Sequence, residues 1–320
     1  MMRALLFAAA GLACQAVPLV AQCPDGTPPP CEVSARQGVA RRAPPPAPER
    51  GRSFLVLPFR NLTRSPEQQW MVEGSPTLLG DALSQWKEVS VVPSRRLFSA
   101  LRRHALTTGE VMDETRVRRV AEETGGWTVV EGDVLATGGK VRVRAQAYDA
   151  VTGTVLVAAA EEVPADDVLA AYERLAGQLL KTAGLTAPGA ALAAGTTRSL
   201  DAYKAYLRGI AHTNRSEFRQ AGDAFLEAVR LDSSFAQAWA RAAEVPLMSF
   251  GVLTDTAYPG QHYAARAAAL AARLPERDRQ LVQVIDAFYA GQFGAARATL
   301  ERLVAADSND LDALRWLSQL

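Results

Sequence analysis

Three cysteines and three histidines in 320 residues are the first candidates for chemistry. Cys23 and Cys31 bracket a short Pro-rich segment, and Pro24-Asp25-Gly26 is turn chemistry that brings two sulfurs together. In an oxidising compartment the pair suggests one local disulfide; otherwise they are two free thiols. Two soft ligands with no nearby histidine do not complete a zinc tetrahedron. His104, His212 and His262 are scattered, which suits surface or packing positions better than a base or a ligand. The adjacent acids Glu122-Glu123, Glu161-Glu162 and Asp166-Asp167 would repel one another if buried, so they read as solvated faces. Thr137-Gly138-Gly139-Lys140 has a superficial likeness to a phosphate loop. The spacing to an earlier glycine is wrong, Val141 stands where a hydroxyl is needed, and a strand pattern follows instead of a helix. A hairpin turn is the better reading. No nucleophile elbow, H-E-x-x-H helix or dinucleotide fingerprint occurs. No catalytic residue, metal or cofactor is therefore assigned, and a hydrolase would need a site that no motif supplies.

Composition narrows the class further. The 35 Lys+Arg against 34 Asp+Glu leave a net charge of +1, which excludes a general nucleic-acid binder or a polybasic membrane binder. With 48% apolar and 22% charged residues the chain folds, and its length suggests two domains or a domain plus a repeat array. Met1-Met2-Arg3, the apolar run Ala4 to Ala13, and Pro18-Leu19-Val20-Ala21 before Gln22 have the three-part layout of a signal peptide over 1–21. A membrane anchor needs about 20 apolar residues, and Gln15 and Pro18 interrupt this run, so no span is expected after cleavage. A lipid-anchored alternative would require cleavage before Cys14 or Cys23, where Gly11 and Gln22 fit poorly. Without the leader the chain is formally neutral and keeps Cys23 and Cys31. Residues 22–52 form a linker: Ala43-Pro44-Pro45-Pro46-Ala47-Pro48 favours extended geometry, and the arginines around it could touch an acidic envelope polymer or simply be solvated.

The elements then follow from periodicity. Phe54 to Phe59 is a buried strand, and Ser65-Pro66-Glu67 opens a helix that carries Trp70, Leu78, Leu79, Leu83 and Trp86. Gly74 and Pro76 bend that helix or split it. Val89 to Val92 is a second strand and Arg95 to His104 a second helix. Asp113 caps a third helix that Gly125 stops. The period then switches to two over Trp127–Leu135, Val141–Tyr148 and Thr154–Ala159, three antiparallel strands with one face covered. Pro164 opens a helix with Val168, Leu169, Tyr172, Leu175 and Leu179 inward, and 186–198 is a linker rich in small residues.

Several segments of this unit carry a family likeness: Phe54-Leu55-Val56-Leu57-Pro58-Phe59 with Asn61 and Leu62, Glu73-Gly74, Val129 to Val134, and Ala147 to Gly153. Over about residues 53–182 the chain resembles the amino-terminal domain of the periplasmic TolB translocation protein. It resembles more closely the TolB-like module that bacterial receptor-type cyclases and serine/threonine kinases carry before tetratricopeptide arrays. The kinase and cyclase motifs of those architectures are missing.

From Ala202 a 34-residue frame places Gly209, Phe218, Ala221, Phe225 and Ala228 at the small and aromatic positions of a tetratricopeptide repeat, with Ser233 at the usual Pro position. Arg208 and His212 depart from the motif. A second frame begins at Ala236 with Trp239 and spans 41 residues instead of 34, and Pro246 and Pro259-Gly260 suggest a remodelled hairpin. A third frame from Arg277 recovers Gly291, Phe293, Ala296 and Leu300, with Ser308 at the Pro position. Asp312 to Leu317 looks like the start of a fourth repeat, so a truncated array is expected. The resemblance implies a groove on the first helices of the repeats. Its positions fall on Tyr203, Tyr206, Thr213 and Asn214, then Gln237 and Glu244, then Phe288 and Tyr289. Tyr and Asn combine area with hydrogen bonding, although the aromatics serve inter-repeat packing equally well.

The expectation is an α+β chain: a TolB-like α/β domain at 53–185 with an antiparallel sheet, then an all-α repeat solenoid at 199–320. The function expected is a non-enzymatic, exported scaffold whose groove binds a peptide or protein partner in the cell envelope. The alternative is a ligand-sensing module whose α/β domain binds a small molecule or cell-wall fragment. Oligomeric state is left open.

Overall fold

Short apolar runs with tight turns build the first part of the fold in the computed structural model. It describes residues 46–63, 66–84, 86, 88–108, 111–182, 184–185, 197–249, 258–274, 276–306 and 310–320. The expected signal peptide, the Cys23–Cys31 pair and most of the 186–198 linker lie outside the described residues. One helical turn, α1 (Ala47–Arg50), leads into β1 (Ser53–Val56), and β2 (Arg60–Asn61) follows. A 3-10 turn at Pro66–Gln68 precedes α2 (Gln69–Leu83). Next come β3 (Ser90–Val91), α3 (Ser94–Arg103) and α4 (Glu114–Thr124). Three long strands, β4 (Thr128–Thr137), β5 (Lys140–Asp149) and β6 (Val155–Pro164), end in α5 (Val168–Thr182).

The sheet order is β3-β1-β4-β5-β6, with β2 pairing β4 beside β1. The expected antiparallel sheet is therefore only the β4-β5-β6 meander. Strands β1, β2 and β3 add parallel pairs, β1 to β3 and β4, and β2 to β4. The two halves are buried differently. Along β1 and the residue after it, Phe54 and Val56 face α2 and α5, while Leu55 and Leu57 pack with Leu97, Leu101, Val117 and Val120 of α3 and α4. On β5, Val141, Val143, Ala145 and Ala147 are buried and Arg142 and Arg144 exposed, so the meander is covered on one face. Gly138 and Gly139, both with positive φ, make the two-residue turn that pairs Thr137 with Lys140. The segment with the look of a phosphate loop is thus a hairpin tip.

Helix α2 runs unbroken through Pro76. Proline removes the N–H that would have bonded the Val72 carbonyl. The Ser75 hydroxyl donates to that carbonyl at 3.0 Å and accepts from the Phe59 N–H at 2.8 Å. One side chain so repairs the ladder and ties the helix to the chain leaving β1.

The remaining helices are α6 (Leu200–Asn214), α7 (Phe218–Leu231), α8 (Ala236–Met248), α9 (Gly260–Leu270), α10 (Glu276–Tyr289), α11 (Phe293–Ala306) and α12 (Leu311–Leu317). They pack as hairpins α6/α7, α8/α9 and α10/α11, each touching the next, with α12 against α11. Pro246 lies inside α8, which continues to Met248. Small residues meet aromatic ones at the contacts. A Cβ on Gly209 would lie within 2.8 Å of three atoms of the Phe225 ring, and Gly222 faces Tyr258 in the same way. One apolar cluster runs without a break from Phe54 in the sheet to Trp316 in α12. Among the described residues no helix is long and apolar enough to cross a membrane, and no His, Cys, Asp or Glu cluster could hold a metal ion.

Helix propensity favours Ala over Gly by about 1 kcal/mol. Gly209→Ala should nonetheless destabilise the protein by about 1–2 kcal/mol in urea unfolding, because the Phe225 ring must move. A more stable variant would mean that the α6/α7 contact is loose.

Candidate functional site

The first helices of the hairpins meet through charged side chains. On α8, Arg241 and Glu244 are one turn apart, and Arg241 Nη1 donates to Glu244 Oε2 at 2.9 Å. On α12, Asp312 and Arg315 have the same spacing. Asp312 lies 3.8 Å from Arg241 and 3.3 Å from Arg277 of α10, and Arg315 lies 3.6 Å from Glu244. Arg277 also grips Asp310, which caps α12, through two bonds of 2.8 Å. Glu244 is 2% exposed and Asp310 3%.

The α/β domain reaches the same network from the other side. Asp81 of α2 accepts a hydrogen bond from the Tyr203 hydroxyl at 3.1 Å. Arg95 of α3 points its Nη2 at the Met248 sulfur, 3.8 Å away. Burial, and then the nearby Asp278 carboxylate, raises the Asp81 pKa to about 7, against the pull of Tyr203, Arg241 and Arg277. Burial pushes Asp312 upward too, but the guanidinium groups around it, Arg241 and Arg277 first, win and hold it far below the carboxylate range. Arg95 is lowered by burial, whereas Arg241 is raised, chiefly by Glu244.

The eight groove candidates separate into groups. Tyr203 and Tyr206 are 2% and 3% exposed and pack on Phe235, with ring centroids 6.0 and 5.0 Å away. They and Glu244 are interior: the two tyrosines seat Phe235 at the start of α8, and Glu244 pairs with Arg241 and Arg315. Thr213 donates to the Gly209 carbonyl of its own helix at 2.9 Å. Phe288 packs edge-on against Phe293 and Trp316, and the Tyr289 hydroxyl donates to the Ala243 carbonyl at 2.8 Å. Gln237 is half-buried, and its Oε1 has no donor among the described residues. Asn214 lines a separate cavity between α2, α3 and α6. The structure thus packs Tyr203 with Tyr206 and sets the Tyr289 hydroxyl at the residue before Glu244, whereas Thr213, Asn214, Gln237 and Phe288 make other contacts. Sequence reading missed Arg241, Arg277, Asp310, Asp312 and Arg315, although the three-residue spacing of opposite charges on first helices was a usable signal. Nothing in the sequence points to Asp81 or Arg95.

No protein-family model matches the chain. A curated Rhizobium meliloti (strain 1021) protein named "Putative adenylate cyclase 3" is 28% identical over 137 residues, 43% of this chain and 22% of that protein. The chain therefore spans about a fifth of the length of the curated relative it matches. Similar solved structures include the LpoB C-terminal domain from Salmonella enterica, 14% identical, covering 35% of this chain and 83% of that one, with a TM-score of 0.29. Lipoprotein GNA1162 from Neisseria meningitidis is 19% identical, covering 35% and 80%, with a TM-score of 0.29. The Escherichia coli LpoB C-terminal domain is 15% identical, covering 35% and 82%, with a TM-score of 0.27.

Folding raises the Asp81 pKa from 3.8 to about 7, so between those values the folded protein holds a proton that the unfolded chain has lost. Stability therefore falls as pH rises through that window, and the penalty is complete above it. Asp81→Asn keeps the acceptor for Tyr203 and removes the charge. It should gain about 2–4 kcal/mol over the parent at pH 8 and show no gain near pH 4, measured by urea unfolding at both pH values. A difference independent of pH would contradict the raised pKa.

Proposed function

We propose that this chain is a non-enzymatic interaction module of the cell envelope. Its TolB-like α/β domain and tetratricopeptide-type hairpins together hold an acidic segment of a protein partner. The observation that carries this reading is a pair of guanidinium groups whose hydrogen bonds find no oxygen. Among the described residues, the hydrogen bond of Arg95 goes to a thioether, and none of the three guanidinium nitrogens of Arg315 has an acceptor. Glu244 balances Arg315 only as an ion pair at 3.6 Å. A cation left in this state costs stability; Arg95 is half-buried and within reach of a carboxylate-bearing partner, while the enclosed Arg315 head group adds positive charge behind it. The small-to-aromatic contacts of the hairpins support the repeat reading. The name of the Rhizobium relative raises nucleotide cyclisation as a second class. The cyclase motifs are missing from this sequence, and the match covers a fifth of that protein, which suits a shared accessory region better than a shared active site.

Crosslinking in intact source cells followed by mass spectrometry identifies the partner. Arg95→Met and Arg315→Met should each weaken the purified complex about tenfold or more while leaving the melting temperature unchanged or higher. Undiminished binding by both variants would sink the assignment.

A further inference from the structure

A cavity of about 170 Å³ opens where α2 and α3 of the α/β domain meet α6, away from the charged network. Its walls are apolar and come from all three helices: Trp70 from α2, Phe98 from α3, and Leu207 with Ile210 from α6. Gly74 sets the floor, because a Cβ there would meet Leu207 Cδ1 at 2.6 Å. The rim is cationic. Lys204 holds its Nζ 5.4 Å from the centroid of the Trp70 ring, and Arg102 projects from α3 with a bond to the Ser99 hydroxyl at 3.2 Å. Two further arginines at the rim are already matched, Arg208 by Glu227 at 2.6 Å and Arg215 by Glu217 at 3.1 Å. Glu73 is the carboxylate of the lining, and the acid beside Lys204 is the solvent-exposed Asp201, 4.0 Å away.

We propose that this cavity binds a small aromatic monocarboxylate. An apolar cavity of about 150 Å³ takes one benzene-sized ring, and the aromatic side chains Trp70 and Phe98 line this one. Within the lining, where Asp201 has no part, Lys204 and Arg102 exceed Glu73 by one positive charge, which matches a single carboxylate and disfavours a dianion. A cationic ligand is disfavoured because Lys204, which lies over one face of Trp70, would repel it. The bound ring touches α2 and α3 on one side and α6 on the other, so occupancy braces the α/β domain against the hairpins and stabilises the folded chain by mass action. This site is independent of the partner-binding face proposed above.

Benzoate is the probe, with benzamide and benzylamine as its neutral and cationic counterparts, titrated calorimetrically into the full chain. The expected result is saturable one-to-one binding of benzoate that raises the melting temperature. Benzamide should bind about tenfold or more weaker, because charge-assisted hydrogen bonds are lost, and benzylamine should not bind. Lys204→Met keeps the apolar stem and should weaken benzoate by a similar factor with an unchanged circular dichroism spectrum. Arg102→Met tests the same contact from the exposed side of α3, so a folding defect in one variant leaves the other decisive. Absence of saturable benzoate binding at millimolar concentration, equal affinity for benzoate and benzamide, or full affinity in both variants would overturn the proposal.

Discussion

Helix α2 is buried along both sides, and through it the sheet and the hairpins become one folded body. From Met71 to Leu83 nearly every residue is interior, a pattern that a helix on a protein surface cannot tolerate. One side lies on β1 and α5, the other on α6. Each local departure from an ordinary helix serves that position. Gly74 removes a side chain where Leu207 comes closest, Ser75 takes the carbonyl that Pro76 leaves open, and Asp81 reaches across to Tyr203. The apolar cluster from Phe54 to Trp316 is continuous across this contact. Separating the two parts would expose apolar surface on both.

The charged network is the cost of bringing those parts together. Arg95, Arg241, Arg277 and Arg315 face Glu244, Asp278, Asp310 and Asp312 in equal number. Burial disfavours charge at Arg95, Arg241, Arg277 and Asp312, and pairing offsets it unevenly. Where geometry is good, as in the two-bond grip of Arg277 on Asp310, the ion pair is held firmly. Where it is poor, at Arg95 and Arg315, positive charge is left with weak partners. Asp81 is a fifth carboxylate in this balance, and burial leaves it near half-protonation at neutral pH. Polar groups in this state are candidates for recognition, since a packed core alone has no use for them.

Much of the architecture was readable from short-range signals. Asp113 caps α4 by accepting the Arg116 N–H, and the residues around Gly138-Gly139 turn as their types demand. The frames of 34 and then 41 residues that begin at Ala202, Ala236 and Arg277 anticipated the helices that begin at Leu200, Ala236 and Glu276. The parallel pairing of β1 with β3 and β4 was not readable, because strands of two to four residues carry no register information of their own. The surroundings of the groove positions were not readable for a related reason. An aromatic at a repeat position looks the same whether it lines a groove or seats the next helix, and Tyr203 and Tyr206 do the latter.

Residue type and local spacing were thus enough for most of the element order and for turns and caps such as Gly138-Gly139 and Asp113, but not for α1, which begins inside the Pro-rich stretch expected to be extended, or for β2. They also showed that α2 had to cope with Gly74 and Pro76, without showing whether it would break. Long-range packing decided that it stays whole, that it faces α6, and that Asp81, Arg95 and Arg315 share one region. Burial and pairing set the energy of a charge, and both depend on residues more than a hundred positions away; Asp81 and Tyr203 are separated by 122.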